Sequence, residues 1–518
     1  MASPVPGLAD RTTALVGWTI AWRAASAVTT LALSAVLARQ LGPNEYGRYT
    51  LVLSVLIYIA VLATFGQDQS LLRYLPEVLA RGDRAAANDL VRKSAIAIVA
   101  VWAATSALVL ILRPAIDAAL NAHVADLLAL GTILLLAGIA SGVLSFALVA
   151  IYDMRHQALA TPIAGVITLV LALVLLRRGG HIAGVLFAGA VGQALLAGYY
   201  FIVLMRRIRK APGGSRDRVG WRRLLVYASG WLPSLLIASA VGLQFENIFL
   251  QRFSGSAQVA FYDTGYNIPQ RLVALIPSLL TGAWVVGTLE SAHREAGRVR
   301  AAVIAFYKGI FLVAFPLAFG AGALLPPLIH QLYGDPYLPA ARIAPFLLAC
   351  FIAVLVVAPW GLVVRVRELA WLNALVTIAQ LGFAALADLW LIQSYALNGA
   401  VAAVALTTIL TIVLSFVAWR WFDRASLAVP WSYALRCLIA ALPFALLFPL
   451  AWAGLRLLLL VPVAAVLTVA WLYLIRELGV LSRAEVPLLH ETRHPPIRLA
   501  LRWLAPDQGA PRPVAAER

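Results

Sequence analysis

Residues 124–151 read VADLLALGTILLLAGIASGVLSFALVAI and contain one charged side chain, Asp126. A helix needs about 20 mostly apolar residues to cross the hydrocarbon core of a bilayer. Similar stretches recur along the 518 residues, of which 62% are hydrophobic and only 12% charged. A soluble domain is closer to about 45–50% apolar and about 25% charged. The sequence therefore predicts an all-α integral membrane protein.

Fourteen stretches meet this criterion. They lie near residues 13–38, 48–66, 94–112, 124–151, 159–176, 183–205, 225–250, 260–287, 303–325, 342–363, 369–391, 398–419, 434–453 and 455–475. Only helices and closed barrels satisfy their backbone polar groups inside lipid. The stretches are too long and continuous for barrel strands, which alternate over about ten residues. We therefore expect about fourteen transmembrane helices.

The formal net charge of +18 is distributed in short clusters between the apolar stretches. If both termini are cytoplasmic, the cytoplasmic segments contain 29 Lys and Arg residues and the opposite loops contain 8. This asymmetry is the one that orients membrane proteins, and it predicts cytoplasmic termini. It also argues against nucleic acid as a partner, because a nucleic-acid binder gathers its basic residues on one soluble face. The most basic loop, 206–223, is a candidate contact for anionic lipids.

An internal repeat predicts two halves. A shift of 213 residues aligns 17–49 with 230–262 and gives ten identities over 33 positions, including Gly42 on Gly255. Six predicted spans separate the copies, so both halves face the same way and should surround a central cavity. The predicted units are a six-helix lobe (1–205), a basic cytoplasmic connector (206–223), a second six-helix lobe (224–419), two last transmembrane helices (420–480) and a partly disordered cytoplasmic tail (481–518).

One stretch resembles a known family. Residues 39–49, RQLGPNEYGRY, are similar to the hallmark between the first two spans of polysaccharide flippases, the Wzx-type exporters of O-antigen and capsule. FGQDQ at 65–69 and LRYLPE at 72–77 resemble the exit of the second span in that family. The wider MOP superfamily also contains MATE-type drug/cation antiporters and the lipid II flippase.

The resemblance implies a flippase for undecaprenyl-pyrophosphate-linked oligosaccharide in the bacterial inner membrane. The protein would carry this lipid from the cytoplasmic to the periplasmic leaflet by alternating access, driven by an ion gradient. A polysaccharide polymerase and chain-length machinery are the partners that such a role implies. The resemblance leaves a MATE-type cation-coupled antiporter of small molecules as the alternative.

Polar residues within the first span are candidate headgroup contacts. Thr19, Arg23, Ser26 and Thr30 recur at three- or four-residue steps and so share one helix face. A guanidinium matches the oxygens of a pyrophosphate with a planar fork, which favours Arg23 as a substrate contact. The alternative is that Arg23 extends its side chain to the cytoplasmic edge of the bilayer.

The seventh and eighth spans supply further candidates. Asp263, Asn267, Gln270 and Arg271 share a face of span eight, and Arg271 is the second candidate cation for the headgroup. Glu246 in span seven could pair with Arg271 across the cavity, or bind and release a proton during transport. A static Glu–Arg pair that fixes helix packing is the alternative.

The remaining candidates concern ion coupling and gating. Glu246, Asp263 and Asp388 are the candidate ion-coupling carboxylates. Asp388 and Lys308 are predicted to lie close to a membrane interface, where water could solvate them. Asp68 and Arg73 are predicted to shape a cytoplasmic gate, with capping of a helix as the alternative for them.

Several common motifs of enzymatic chemistry are missing from the sequence. It contains no Walker-type phosphate loop, CxxC or GxSxG, which predicts a non-enzyme without cofactor or bound metal. Cys350 and Cys437 both lie in apolar stretches, which favours two core thiols over a disulfide. A membrane glycosyltransferase or polymerase would need a large periplasmic loop, and the longest predicted one, 326–341, is too short to hold a domain.

Overall fold

The computed structural model describes residues 8–151, 153–211, 219–242, 245–292, 296–367, 369–481 and 503. Parts of the predicted connector and tail, 212–218 and most of 482–518, lie outside this set. The helices are α1 (Leu8–Thr64), α2 (Gln67–Ala80), α3 (Arg84–Ile111), α4 (Arg113–Leu120), α5 (Ala125–Ala150), α6 (Met154–Arg177), α7 (His181–Arg209), α8 (Trp221–Gly242), α9 (Glu246–Ser254), α10 (Ser256–Ala292), α11 (Ala296–Pro316), α12 (Gly322–Tyr333), α13 (Leu338–Val354), α14 (Trp360–Val366), α15 (Ala370–Phe422), α16 (Trp431–Ala441), α17 (Leu447–Trp452) and α18 (Leu457–Glu477).

Ten helical segments within the described ranges are long and apolar enough to cross a membrane. Two of them, Ala25–Thr64 and Trp371–Phe422, are 40 and 52 residues long, which is at least twice the length of about 20 residues that one crossing needs. Each bends where the backbone leaves the helical region, at Gly42 in α1 and at Ala396 in α15. The prediction of an all-α membrane protein is confirmed, whereas the exact number of spans stays a prediction.

Two glycines form corresponding turns between helices. Gly42 within α1 has φ 72° and ψ 171°, and Gly255 between α9 and α10 has φ 89° and ψ 170°. A positive φ is strained for residues that carry a Cβ atom, so glycine suits both turns. The sequence repeat aligns these two residues, and they share one backbone conformation. We call the end of the bundle where they lie the Gly42 end.

The two turns contact each other at this end. A Cβ atom built on Gly47 of α1 would lie 1.7 Å from the carbonyl oxygen of Ser256, the first residue of α10. Only a glycine permits so close an approach of two backbones. The helices α1 and α10 are therefore packed tightly against each other at the Gly42 end.

Two ion pairs occupy corresponding positions at the opposite end. Asp153, between α5 and α6, accepts a hydrogen bond of 2.9 Å from Arg207 near the end of α7. Arg367, at the end of α14, donates one of 2.9 Å to Asp423, which follows α15. Each pair joins a residue between two spans to a residue at the end of the second span after it, in the predicted order. The acidic residue comes first in the first pair, whereas the basic residue comes first in the second pair. Both aspartates are buried.

Arg207 also sets the ionisation of its partner. Burial raises the pKa of the Asp153 carboxyl, but the hydrogen bond and charge of Arg207, together with the charges of His156 and Arg155, bring the pKa below its ordinary value. A carboxyl with a lowered pKa stabilises the folded chain at neutral pH. That contribution is lost only when the pH falls below the ordinary range of an aspartate.

Candidate functional site

The first cavity lies between α1 and α10, and we call it the α1–α10 cavity. Its volume is about 440 Å³, and Tyr333 of α12 completes its wall. Of the predicted headgroup residues, the ones that line it are Thr30, Asn267, Gln270 and Arg271, and the ion-coupling candidate Asp263 lines it too. The helical spacing thus identified residues that share a cavity. Helices from both predicted lobes form this site.

A hydrogen-bond network holds Asp263 in the wall. Asn267 donates to the Asp263 Oδ1 at 2.6 Å, and the hydroxyl of Tyr46 donates to Oδ2 at 3.4 Å. Ser34 of α1 and Tyr333 of α12 are joined by a hydrogen bond of 2.7 Å between their hydroxyls. Asp263 is buried, whereas the side chain of Arg271 is exposed in the cavity wall. Arg271 therefore presents a positive charge to whatever occupies the cavity.

The structure does not place the other candidate residues of the first span in the α1–α10 cavity. Thr19 and Arg23 lie on α1, but their side chains are outside the described part of the chain. Ser26 is half-buried and does not line the α1–α10 cavity; its carbonyl accepts a hydrogen bond of 2.8 Å from the Thr30 hydroxyl. Their role as headgroup contacts stays a prediction.

A second cavity of about 630 Å³ lies among α9, α10, α13 and α15, and we call it the acidic cavity. The carboxyl groups of Glu246 and Asp388 both line it. Thr407, Thr408 and Thr411 of α15 add hydroxyl groups to the wall. Sequence reasoning missed these threonines, although three polar residues in an apolar span were a usable signal.

The acidic cavity corrects two expectations. Asp388 is 1% exposed rather than solvated at an interface, because α15 carries it into the packed bundle. Glu246 lies beside Asp388, and no ion pair between Glu246 and Arg271 is found among the described residues.

The two cavities are neighbours. Gln270 lines both of them, so they adjoin across α10. A change in the charge of the acidic cavity therefore acts on a helix that also carries Arg271.

The proposed gate residues are close in sequence but differ in environment. Asp68, in the first turn of α2, is buried and accepts a hydrogen bond of 3.0 Å from Gln69, whereas Arg73 is exposed. Gly66 occupies the N-cap of α2, and Asp68 is an acidic residue placed favourably near the positive end of that helix. No ion pair joins Asp68 to Arg73 in the described ranges.

Lys308 is half-buried within the bundle. Its Nζ atom lies 5.2 Å from the centre of the Tyr433 ring, a distance at which a cation is attracted to an aromatic face. Helix α16 thereby holds this charge, in a contact that the sequence did not predict.

The fold and site can be compared with known proteins. A family model described as "Polysaccharide biosynthesis protein" matches residues 14–285, more than half of the chain. No curated protein matches the sequence. Among solved structures, lipid II flippase MurJ in an inward closed conformation is similar with a TM-score of 0.67 and 11% identity, covering 88% of this chain and 97% of that chain.

Two MATE transporter structures of the MOP superfamily are also similar. The inward-facing one has a TM-score of 0.58 and 16% identity, covering 78% of this chain and 96% of that chain. The outward-facing one has a TM-score of 0.54 and 17% identity, covering 81% and 96%. At these identities the likeness shows a shared fold, that of the MOP transporters.

Proposed function

Because the chain belongs to the polysaccharide biosynthesis protein family, we propose that it is a flippase for an undecaprenyl-pyrophosphate-linked oligosaccharide. It moves this lipid from the cytoplasmic to the periplasmic leaflet of the bacterial inner membrane, with both termini in the cytoplasm. The oligosaccharide then passes to a polymerase and its chain-length machinery. The predicted lobes, 1–205 and 224–419, are the moving parts in this proposal.

The observation that carries the proposal is Arg271 in the wall of the α1–α10 cavity. A pyrophosphate carries at least two negative charges, and a guanidinium can donate two parallel hydrogen bonds to it. Asn267 and Gln270, one turn or less away on the same helix, offer amide groups to the adjoining sugar. The cavity lies at the junction of the two proposed lobes, where alternating access requires the substrate site to be.

The contacts at the Gly42 end support the transport cycle that we propose. The close approach of Gly47 to Ser256 shuts that end, and the Tyr46 hydrogen bond to Asp263 links α1 to α10 just beside it. Separation of these two helices would open the cavity toward the periplasm. The ion pair of Asp153 with Arg207 joins α7 to the loop before α6, so it lets the first lobe move as a unit.

The acidic cavity is the proposed site of ion coupling. Two carboxylates in one buried site repel each other unless a proton or a cation binds there. Threonine hydroxyls and carboxylate oxygens are suitable ligands for a small hard cation. Because Gln270 lines both cavities, occupancy of the acidic cavity would alter the position of α10 and so the access to Arg271.

A MATE-type antiporter is the second candidate, and the acidic cavity is the observation that favours it. Glu246 and Asp388 could attract an organic cation as well as a coupling ion. Cation-driven efflux of a drug from proteoliposomes, without any movement of lipid-linked sugar, would select this alternative over the flippase.

The flippase proposal is tested with Arg271→Ala. We expect glycan export to fall by about tenfold or more, since a charge-assisted hydrogen bond contributes about 1.5–3 kcal/mol. Arg271→Lys should retain part of the activity, because it keeps the charge but loses the planar fork. Export is measured in cells that depend on the protein, alongside the amount of protein in the membrane.

Arg178→Ala is the matched control for this experiment. Arg178 is an exposed arginine after α6 and lines neither cavity. Its variant should export glycan normally. Normal export by Arg271→Ala, at the same membrane level, would remove the headgroup role of this residue.

A further inference from the structure

A third cavity lies at the Gly42 end, away from both sites above. Its volume is about 1370 Å³, and its walls come from α12, the start of α13 and the turn between α17 and α18. We call it the hairpin cavity, after that turn. It shares no lining residue with the α1–α10 cavity or the acidic cavity.

The polar part of the hairpin cavity is cationic. Arg39 of α1, Arg342 of α13 and Arg456 before α18 all line it, whereas Asp335 is the single acidic residue among the described residues of its lining. Asp335 is hydrogen-bonded to His330. Arginines from three distant parts of the chain thus line one cavity, and guanidinium groups bind phosphate oxygens in a planar fork. The site therefore favours an anion of the phosphate type.

The apolar part of the cavity faces outward. Trp452 is 85% exposed, Leu458 is 81% exposed and Phe346 is 66% exposed. Large apolar side chains on the outer surface of a membrane bundle contact lipid chains rather than water. An occupant that satisfies both parts of the cavity has a phosphate at one end and hydrocarbon chains at the other.

We propose that the hairpin cavity binds an anionic glycerophospholipid of the outer leaflet, with the phosphate on Arg342 and Arg456. The leaflet follows from the orientation proposed above, while the binding itself requires no transport. Such lipids surround this surface of the bundle in the membrane. The hairpin cavity and the α1–α10 cavity have no described lining residue in common, so this lipid site is distinct from the proposed site of the transported lipid.

The bound lipid can also influence the closed end of the bundle through Arg39. Arg39 donates a hydrogen bond to the carbonyl oxygen of Gln331, which ties α1 to α12 beside the cavity. A phosphate near Arg39 would hold this arginine in place and with it the segment that leads to Gly42. The lipid thus favours the conformation in which the Gly42 end is shut.

The test uses the purified full-length protein and native mass spectrometry. It is titrated with phosphatidylglycerol and, separately, with zwitterionic phosphatidylcholine. We expect tighter binding of phosphatidylglycerol, and a loss of about tenfold in its affinity in the double variant Arg342→Ala/Arg456→Ala. A photoactivatable phosphatidylglycerol should crosslink to peptides that contain residues 338–349 and 448–458.

The controls separate the site from general charge effects. Arg420→Ala/Arg424→Ala removes two exposed arginines at the other end of the bundle and should bind the lipid normally. Arg342→Lys/Arg456→Lys should restore much of the affinity. Equal binding of both lipids, an unchanged affinity in the double alanine variant, or displacement of phosphatidylglycerol by undecaprenyl phosphate at an equal concentration would each overturn the proposal. Transport by the double variant is measured separately and bears on the flippase proposal alone.

Discussion

At the scale of single residues, the three charged side chains of the two cavities differ in their surroundings. Asp263 accepts hydrogen bonds from the Asn267 amide and the Tyr46 hydroxyl, whereas Arg271 presents its charge to the α1–α10 cavity. Asp388 differs from both, because its Oδ1 atom is buried and has no hydrogen-bond partner in the described part of the chain. A buried carboxylate in this state attracts a proton or a cation.

Asp388→Asn should uncouple transport from the ion gradient. The amide is similar in size but carries no charge, so the acidic cavity loses half of its attraction for a cation. We expect the gradient-driven rate in proteoliposomes to fall by about fivefold or more, and the rate without a gradient to change less. The matched control is Asp126→Asn, in which the replaced side chain is almost fully exposed. If the gradient accelerates the Asp388→Asn variant as much as the unaltered protein, the acidic cavity is not the coupling site.

At the scale of helices, the fold relies on places where two backbones come very close. The approach of Gly47 to Ser256 brings α1 and α10 together at the Gly42 end. The first atom that an added Cβ would meet belongs to the backbone, so no side chain can rotate to relieve the clash. The two helices must move apart to accept any larger residue.

Gly47→Ala should therefore favour opening at the Gly42 end. We expect a cysteine introduced at Tyr333, with Cys350 and Cys437 replaced by serine, to react faster with a membrane-impermeant maleimide in this background. Gly138→Ala is the control, because a Cβ atom at Gly138 of α5 meets nothing within 4 Å. An unchanged labelling rate at position 333, with normal protein levels, would contradict the proposed closure.

The positions of the helices could be predicted from the sequence better than the surroundings of their side chains. Length and hydropathy are local properties, so the long apolar stretches became helices, and the RQLGPNEYGRY segment marked the turn at Gly42. The proximity of Glu246 to Asp388 depends on how α9 packs against α15, which hydropathy does not reveal. The burial of Asp388 depends on which helices pack around α15, and only the three-dimensional arrangement determines that.

At the scale of the whole molecule, the distribution of charge predicts the orientation in the membrane. The turns at Gly42, Gly255 and Gly334 should all face the periplasm if the termini are cytoplasmic. Each of the three turns comes directly before an even-numbered span in the predicted order, and with a cytoplasmic N-terminus such loops lie on the periplasmic side. The ion pairs of Asp153 and Asp423 should then lie on the cytoplasmic side.

Single cysteines can test this orientation in a chain without Cys350 and Cys437. His123→Cys and Asp335→Cys, both at exposed positions, should react with an impermeant maleimide added to intact spheroplasts. Arg84→Cys and Arg424→Cys should react only after the membrane is permeabilised, although both side chains are exposed. The reverse pattern would invert the proposed topology and with it the direction of transport.

The charge reversal between the two ion pairs affects how the cytoplasmic side can shut. If a two-fold axis relates the predicted halves, corresponding residues approach each other when the halves move inward. Asp153 would then approach Arg367. Two copies of one unreversed pair would set like charges against each other and resist that swing. With the reversal, opposite charges would face each other across the two predicted lobes, and their attraction would favour closure at this end of the bundle.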